Sequence, residues 1–351
     1  MDWTRGYTSR IRVYEVDRRT WADRALVAGV ASATIARDNA GDAPLLESGS
    51  MELDRAPGDS FGERYLRLAV IAEQDGARER FDLATLLCSA TGGTVERGYD
   101  KASVRGQSVL WPASRLHVAI GAWADAGENG AEAAAQMLAD AIDAPVEVEG
   151  TGFALAARHV FDQGASVLDA AWALLRAGNH DVAIDGAGRV RVRPVPTSPS
   201  LELDRAHARL LVPGIRHQLD LAEVPNRYVA VEGASVAIAT NDDPNSQTST
   251  VARGFVVDPP DGIDSSPIRV GDESLDGYAE RRLLELSVAR DERTYSREWW
   301  PGVHPGDLVR ASLADLMMSG DLRVESQSID VSHGISVTET ACMEVVTWQP
   351  E

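Results

Sequence analysis

Lysine is almost missing from this 351-residue chain: Lys101 is the only one, so nearly all of the 34 basic residues are arginines. A guanidinium is planar and always charged, and it favours paired contacts with carboxylates over loose solvated ones. With 54 Asp and Glu residues and a formal charge of -20, the arginines have ample partners inside the molecule. A GC-rich coding sequence is a second explanation of the same bias. The charge argues against a general phosphate-gripping surface, because nucleic-acid affinity needs clustered cations that release counterions.

Cysteine is equally scarce. Cys88 and Cys342 lie far apart in apolar, strand-like surroundings, so they read as buried free thiols, with a disulfide the less favoured alternative. No apolar run approaches the roughly 20 residues that a spanning helix needs. Met1-Asp2-Trp3-Thr4-Arg5 is followed by no apolar leader segment, so a soluble protein without stable membrane insertion is expected.

Catalytic and metal motifs are missing too. His117, His159, His180, His207, His217, His304 and His333 show neither H-x-x-x-H nor H-E-x-x-H spacing and read as surface or turn residues. Asp242-Asp243-Asn245 offers oxygen ligands without the spacing of a calcium loop, and an ordinary solvated loop explains it. Glu47, Glu52 and Asp54 have the look of a carboxylate group for glycoside cleavage, but alternating strand residues facing solvent account for them more simply. Ser48-Gly49-Ser50 lacks a nucleophile-elbow context, and Gly92-Gly93 lacks the residues that cradle phosphate. No catalytic, cofactor or metal residue is assigned, and no cofactor is expected.

With 44% apolar residues the chain can bury a substantial core in two or three units. Its first hundred residues read as strands: 11–16, 25–35, 49–53, 65–72 and 80–87, divided by the Asp38–Asp42 and Ala56–Asp59 clusters. A barrel or sandwich closes such a set. Past Trp111-Pro112 the character changes. Asn129 caps a short amphipathic helix with Glu132 at its third position. Ser166 caps a second, with Asp169 in the capping-box position and Gly178 at its end.

The stretch 181–193 predicts a hairpin with its register. A three-residue loop, Gly186 to Gly188, opposes Ile184 to Val190, Val182 to Val192, Asp185 to Arg189 and Asp181 to Arg193, giving one apolar face and one of opposite charges. Residues 194–199 then form a Pro- and Ser-rich edge. Paired strands are expected at 227–232 and 236–240, and further strands at 251–257, 294–299, 308–313, 322–330 and 335–346, with a turn at Ser332-His333-Gly334. A helix capped by Ser274 is expected to run to Arg290.

Four segments, in order, resemble the hub proteins of tailed-phage tail tips and baseplates, the family that includes late control protein D. They are Val95–Leu110, with its strand leading into Val104-Arg105-Gly106-Gln107-Ser108-Val109-Leu110; the Ser166–Gly178 helix with its Asp185-Gly186 hairpin; Val224-Pro225-Asn226-Arg227-Tyr228-Val229-Ala230-Val231-Glu232-Gly233; and the Ser274 helix followed by Pro305-Gly306-Asp307 and the terminal hairpin. The resemblance implies an α+β, β-dominant fold with two tail-tube-like β-barrel domains, 1–112 and 201–351, around a small α/β insertion at 113–200.

It also implies a non-enzymatic homotrimer at the tail tip of the virion, assembled in the host cytoplasm. The partners implied are the tail tube or distal tail protein, the tape measure protein and the tip or spike proteins, with DNA only in transit. The residues expected to carry structure are Ser166, Gly178, Gly188, Ser274 and Gly334. Two rival readings compete with this one. The first is a receptor- or carbohydrate-binding module that stacks sugars on Trp111, Trp299 or Trp300; the second is a tail-associated cell-wall peptidase or glycosidase.

Overall fold

The computed structural model describes residues 1–3, 5–39, 45–55, 62–96, 99–207, 211–332 and 334–348. The expected turn at Ala56–Asp59, most of the Asp38–Asp42 cluster, Arg97-Gly98 of the first family-like segment, and His333 lie outside the described residues.

The N-terminal part is a run of strands: β1 (Thr8–Val16), β2 (Asp23–Val27), β3 (Val30–Asp38), β4 (Glu47–Arg55), β5 (Arg64–Gln74), β6 (Ala77–Glu96) and β7 (Tyr99–Gln107). The single strand expected at 25–35 is two, because Gly29, at φ +75°, turns the chain between β2 and β3. Next come α1 (Trp111–Arg115), β8 (Trp123–Ala124), α2 (Gly130–Ala141), β9 (Val146–Val148), β10 (His159–Val160), α3 (Val167–Ala177), β11 (His180–Ile184) and β12 (Val190–Pro194). The C-terminal part holds β13 (Leu201–Leu203), β14 (Leu211–Asp220), β15 (Arg227–Glu232), β16 (Ser235–Thr240), α4 (Thr250–Arg253), β17 (Ile263–Asp264), α5 (Leu275–Leu286), β18 (Val288–Glu298), β19 (Leu308–Leu313), β20 (Met318–Asp330) and β21 (Ser336–Val346).

The protein is β-dominant α+β. A 13-stranded sheet follows the order β14-β18-β21-β20-β3-β4-β7-β6-β5-β1-β2, with β19 and β13 attached beside β20. Strands from the two ends of the chain meet where β20 pairs antiparallel with β3, residues 326–330 against 34–38. Two apolar cores lie under this one sheet. One gathers Ile35, Met51, Leu66, Leu86, Val104, Ile329 and Val337; the other gathers Leu203, Tyr295, Trp300, Val309, Leu322 and Ala341. Each fully buried aliphatic side chain contributes about 1.5–3 kcal/mol.

Close packing needs small residues at one point. Gly49 on β4 and Gly106 on β7 are register partners, and a Cβ added to either would lie 2.7 Å from Leu86 Cδ1. The two glycines form the seat into which Leu86 drops.

The 111–194 unit has its own core around Leu138, Leu168, Leu174, Val190 and Val192, joined by Tyr65 and Leu87 of the large sheet. Ser166 makes the full capping box with Asp169, and Asn129 accepts from the Ala131 and Glu132 amides. Gly178 ends α3 as expected, but for a different reason. Its φ is −98°, the left-handed residue is Asn179, and a Cβ at Gly178 would strike the Phe153 ring at 2.0 Å. The β11–β12 hairpin has the expected register, from Asp181↔Arg193 to Ile184↔Val190. Gly188 takes φ +75°. The loop is not a free tip, since Gly186 and Ala187 carbonyls accept hydrogen bonds from Thr85, Arg67 and Trp21.

Three expectations for the C-terminal part are corrected. The Ser274-capped helix stops at Leu286 rather than Arg290, and Val288–Arg290 already belong to β18, where Ala289 is buried as a strand residue. Residues 251–257 form no strand, since Ser249 caps the helical turn α4 and Gly254 closes it in the left-handed conformation. The 201–351 part, expected with one helix, holds α4 as well as α5, and its expected strand pair β15–β16 is joined by β17 in a separate three-stranded sheet packed through Tyr228, Ala230, Ala237 and Ala239 on Tyr278, Ala279 and Leu283 of α5.

Candidate functional site

The alternation of β-strands places every second residue on each face, and on the face opposite the cores the pattern is consistent across neighbouring strands. One register row reads Glu298, Ser336, Asp330, Thr34, Ser50, Arg105 and Ser89 from β18 to β6. The next reads Val212, Ser296, Thr338, Ser328, Ala36, Ser48 and Gln107, and a third Arg216, Thr294, Thr340, Ser326 and Asp38. These residues are exposed or half-exposed. Hydroxyls bridge neighbouring strands, Ser296 Oγ to Thr338 Oγ1 at 3.1 Å and Thr294 Oγ1 to Thr340 Oγ1 at 3.3 Å. Over β18 to β7 the carboxylates Asp38, Glu52, Asp54, Glu292, Glu298, Asp321, Asp330 and Glu344 outnumber the cations Lys101, Arg105, Arg290 and Arg323. The result is a broad face of short hydroxyls with a net negative balance, which offers no cluster of cations to hold a polyanion.

Directly beneath it, on the inner face, runs a polar row. Tyr295, Glu339, Gln327, Arg37 and Glu47 are successive register partners on β18, β21, β20, β3 and β4, and all are buried. Glu339 accepts from Tyr295, from Gln327 at 2.7 Å and from Arg297 at 2.7 Å. Arg37 donates to Glu47 at 3.0 Å, to Gln327 Oε1 at 3.3 Å and to the Leu83 carbonyl. Arg297, which is 1% exposed, lies 3.9 Å over the Trp300 ring. The row crosses the β20·β3 junction and locks the two sheet halves together. Burial pushes the Glu47 carboxyl up to about 7, against the pull of Arg37.

A second polar cluster fastens the hairpin to the same junction. Arg193 donates to Asp181 at 3.0 Å and to Asp307 at 3.2 Å, while Asp307 also accepts from the His304 amide at 2.9 Å. Burial and the surrounding Arg37, Arg191, Arg193 and Arg297 guanidiniums push the His304 imidazole down to about 3. Among the described residues Glu47 Oε2 and His304 Nδ1 have no protein partner, and both residues line a cavity of about 20 Å³, room for one water.

The sequence-flagged residues fare differently. Glu52 and Asp54 face solvent as expected, but Glu47 does not: it is 5% exposed and belongs to the buried row. His180 is likewise enclosed, where it binds the Gly178 and Thr151 carbonyls, whereas His304 is half-buried just before the Pro305-Gly306 turn. Trp299 and Trp300 are 5% and 3% exposed, so they form no sugar-stacking platform; Trp299 packs edge-on against Trp3. Trp111 is half-buried at the start of α1 with Arg115 over its ring. Cys88 and Cys342 are free and buried, and burial pushes both thiols up to about 12.

Asn226, quoted in the third family-like segment, organises the small unit: its side chain bonds the Thr248 and Phe255 carbonyls and the Val257 amide. Ser274 caps α5 through the Gly277 amide, and Gly334 takes φ +129° before β21. Among the described residues no three His, Cys, Asp or Glu gather as a metal site, and no helix is long and apolar enough to cross a membrane.

Arg37, Gln327, Glu339 and Arg297 were not singled out from the sequence. The signal was present: each falls on the apolar parity of its strand, two residues from Ile35, Ile329, Val337 or Tyr295.

This fold is shared with solved structures of phage tail proteins. The chain superposes on a tail protein from Neisseria meningitidis with a TM-score of 0.68 and 13% identity, covering 98% of both chains. It matches the 43 kDa tail protein of prophage MuSo2 from Shewanella oneidensis with a TM-score of 0.62 and 11% identity, over 96% of this chain and 98% of that one. An Escherichia coli component of the type VI secretion system, itself described as similar to the T4 bacteriophage tail proteins gp27 and gp5, gives 0.51 at 8% identity over 92% of this chain and 76% of that one. No protein-family model and no curated protein sequence matches the chain.

Proposed function

We propose that this protein is a structural hub subunit at the tip of a phage or phage-like tail, acting as a homotrimer without catalysis. Residues 1–112 and 201–351 serve as two tube-like modules, with 113–200 inserted between them. Three copies then present six modules to the end of a tail tube. The observation that carries this reading is the hydroxyl-lined, net acidic face, continuous across the junction of the two sheet halves. Curved into a ring, that face lines the channel and lets DNA pass, because it offers no cluster of cations that would release counterions. Tail-tube or distal tail protein, tape measure protein and tip or spike proteins are the partners of such a ring, which belongs in the virion after assembly in the host cytoplasm.

Mass measurement in solution and imaging of the particles test the proposal. Trimers with a central hole are expected, and a monomer at all concentrations would overturn the reading.

A further inference from the structure

The small sheet β16-β15-β17 turns an apolar face to solvent. Tyr228, Ala230, Ala237 and Ala239 point at α5, so the residues that alternate with them point outward. Ile238, Val229 and Ile263 are register partners across the three strands, and Val236 stands beside Val231 in the next row. Val236, Ile238 and Ile263 are 60%, 61% and 63% exposed. Adjoining β-branched side chains left this open mark a contact surface. The face is also held firmly. Asp264, next to Ile263, accepts from Tyr228 Oη at 2.8 Å and from Tyr278 Oη at 2.5 Å, which fixes the two-residue β17 against α5.

Backbone groups lie open on the same residues. β16 is an outer strand of its sheet, and the two-residue turn Gly233-Ala234 joins it to β15 with Glu232 opposite Ser235. In such a hairpin the flanking pair exchanges both ladder bonds. The alternation then turns the N–H and C=O of Ala237 and Ala239 toward β15, and those of Val236, Ile238 and Thr240 away from it. Soluble proteins guard open edges with charge or proline. β14, an outer strand of the large sheet, carries Pro213, Arg216, His217 and Asp220. β16 reads Ser-Val-Ala-Ile-Ala-Thr and carries neither guard.

Charge at the strand end narrows the partner. Asp242 and Asp243 follow β16 closely, and the only cations from 223 to 264 are Arg227 and Arg253. Both are engaged, Arg227 by Asp258 at 2.8 Å and Arg253 by the Val224 and Leu221 carbonyls. An incoming strand therefore meets carboxylates with no competing guanidinium.

We infer that β16 takes an extended segment of a partner protein as a fourth, antiparallel strand, with β-branched side chains laid beside Val236 and Ile238 and a Lys or Arg at its N-terminal end near Asp242 and Asp243. Main-chain bonds supply the affinity, while the alternate side chains and the terminal charge supply selection. This surface lies outside the large sheet, and its use does not depend on whether copies assemble into a ring.

A synthetic peptide of about nine residues, two arginines followed by alternating valine and threonine, tests this on the full chain. By NMR, amide exchange at Val236, Ile238 and Thr240 should slow by about tenfold or more at saturation, while Ala237 and Ala239, already bonded to β15, keep their rates. Ile238→Pro removes one outward N–H and leaves the β15 ladder intact, so the unfolding midpoint should hold while the peptide binds about tenfold more weakly. Glutamates in place of the arginines should also weaken binding. No protection at about 1 mM peptide would overturn the inference. So would undiminished binding of a peptide N-methylated along its pairing edge, which would leave only an apolar contact. Protection of the same amides by self-association, with mass rising as the chain is concentrated, would overturn it in favour of a second copy.

Discussion

Glu47 offers a measurement in which the sign of the effect is as informative as its size. Its carboxyl is enclosed beside Arg37, and burial lifts it from 4.5 to about 7. Between those values the folded protein holds a proton that the unfolded chain has released. Stability therefore falls as pH rises through this window, and the loss is complete above pH 7. At about 1.36 kcal/mol for each pH unit of the window, the group contributes a swing of about 3 kcal/mol. Glu47→Gln keeps the shape and removes the titration. Urea unfolding of both proteins from pH 4.5 to 7.5 isolates the group, because the other carboxylates are common to both and cancel in the difference. The variant should gain about 3 kcal/mol on the parent across this range. Parallel stability curves would show that Glu47 is solvated or that Arg37 holds it ionised throughout, and the enclosed row would have to be redrawn.

Arg37→Met alone should cost about 3–5 kcal/mol, since it leaves Glu47 and Gln327 without their donor, whereas Arg37→Met with Glu47→Leu should recover most of that in the same unfolding assay. Gly106→Ala should cost about 1–3 kcal/mol by driving Leu86 from its seat, with a lowered midpoint of thermal unfolding. Ser166→Ala loses the capping box of α3 and should cost about 1 kcal/mol. Tryptophan fluorescence should not respond to added saccharides through the enclosed Trp299 and Trp300; strong quenching would revive the carbohydrate-binding reading.

What could be read in the sequence was whatever local chemistry over-determines. The hairpin at 181–193 was legible in register because a single loop length satisfies both its apolar and its charged residues. The helix starts at Ser166 and Ser274 were legible because a cap is a property of four consecutive residues. The end of the Ser274 helix was not, since Ala289 suits a helical stripe and a strand interior equally, and pairing with β21 decides for the strand. The β15–β16 pair was legible as neighbouring strands, but β17 was not, because the two residues Ile263-Asp264 carry no periodicity of their own. The buried row escaped notice because arginine and glutamate usually mark the solvent side of a strand, and only the coincidence of parity across five strands reveals otherwise.

That row also answers a question the hydroxyl face raises. Serine and threonine tolerate either side of a sheet, so the outer face alone sets no register between β3 and β20. A slip of one residue would move Arg37 outward and bring Ala36 or Asp38 under the sheet. Glu339 would keep Arg297, but Gln327 and Glu47 would lose the arginine between them, and an inward Asp38 would add an unpaired carboxylate. Each such buried, unpartnered charge costs several kcal/mol. The polar row thus penalises a one-residue slip at the β20·β3 joint between the sheet halves. An apolar row of equal volume would hold the halves together as firmly, yet would accept a slipped pairing far more readily. A variant carrying Leu or Met at Arg37, Glu47, Gln327 and Glu339 together should therefore keep most of its stability while losing the sharp backbone NMR dispersion of β3 and β20.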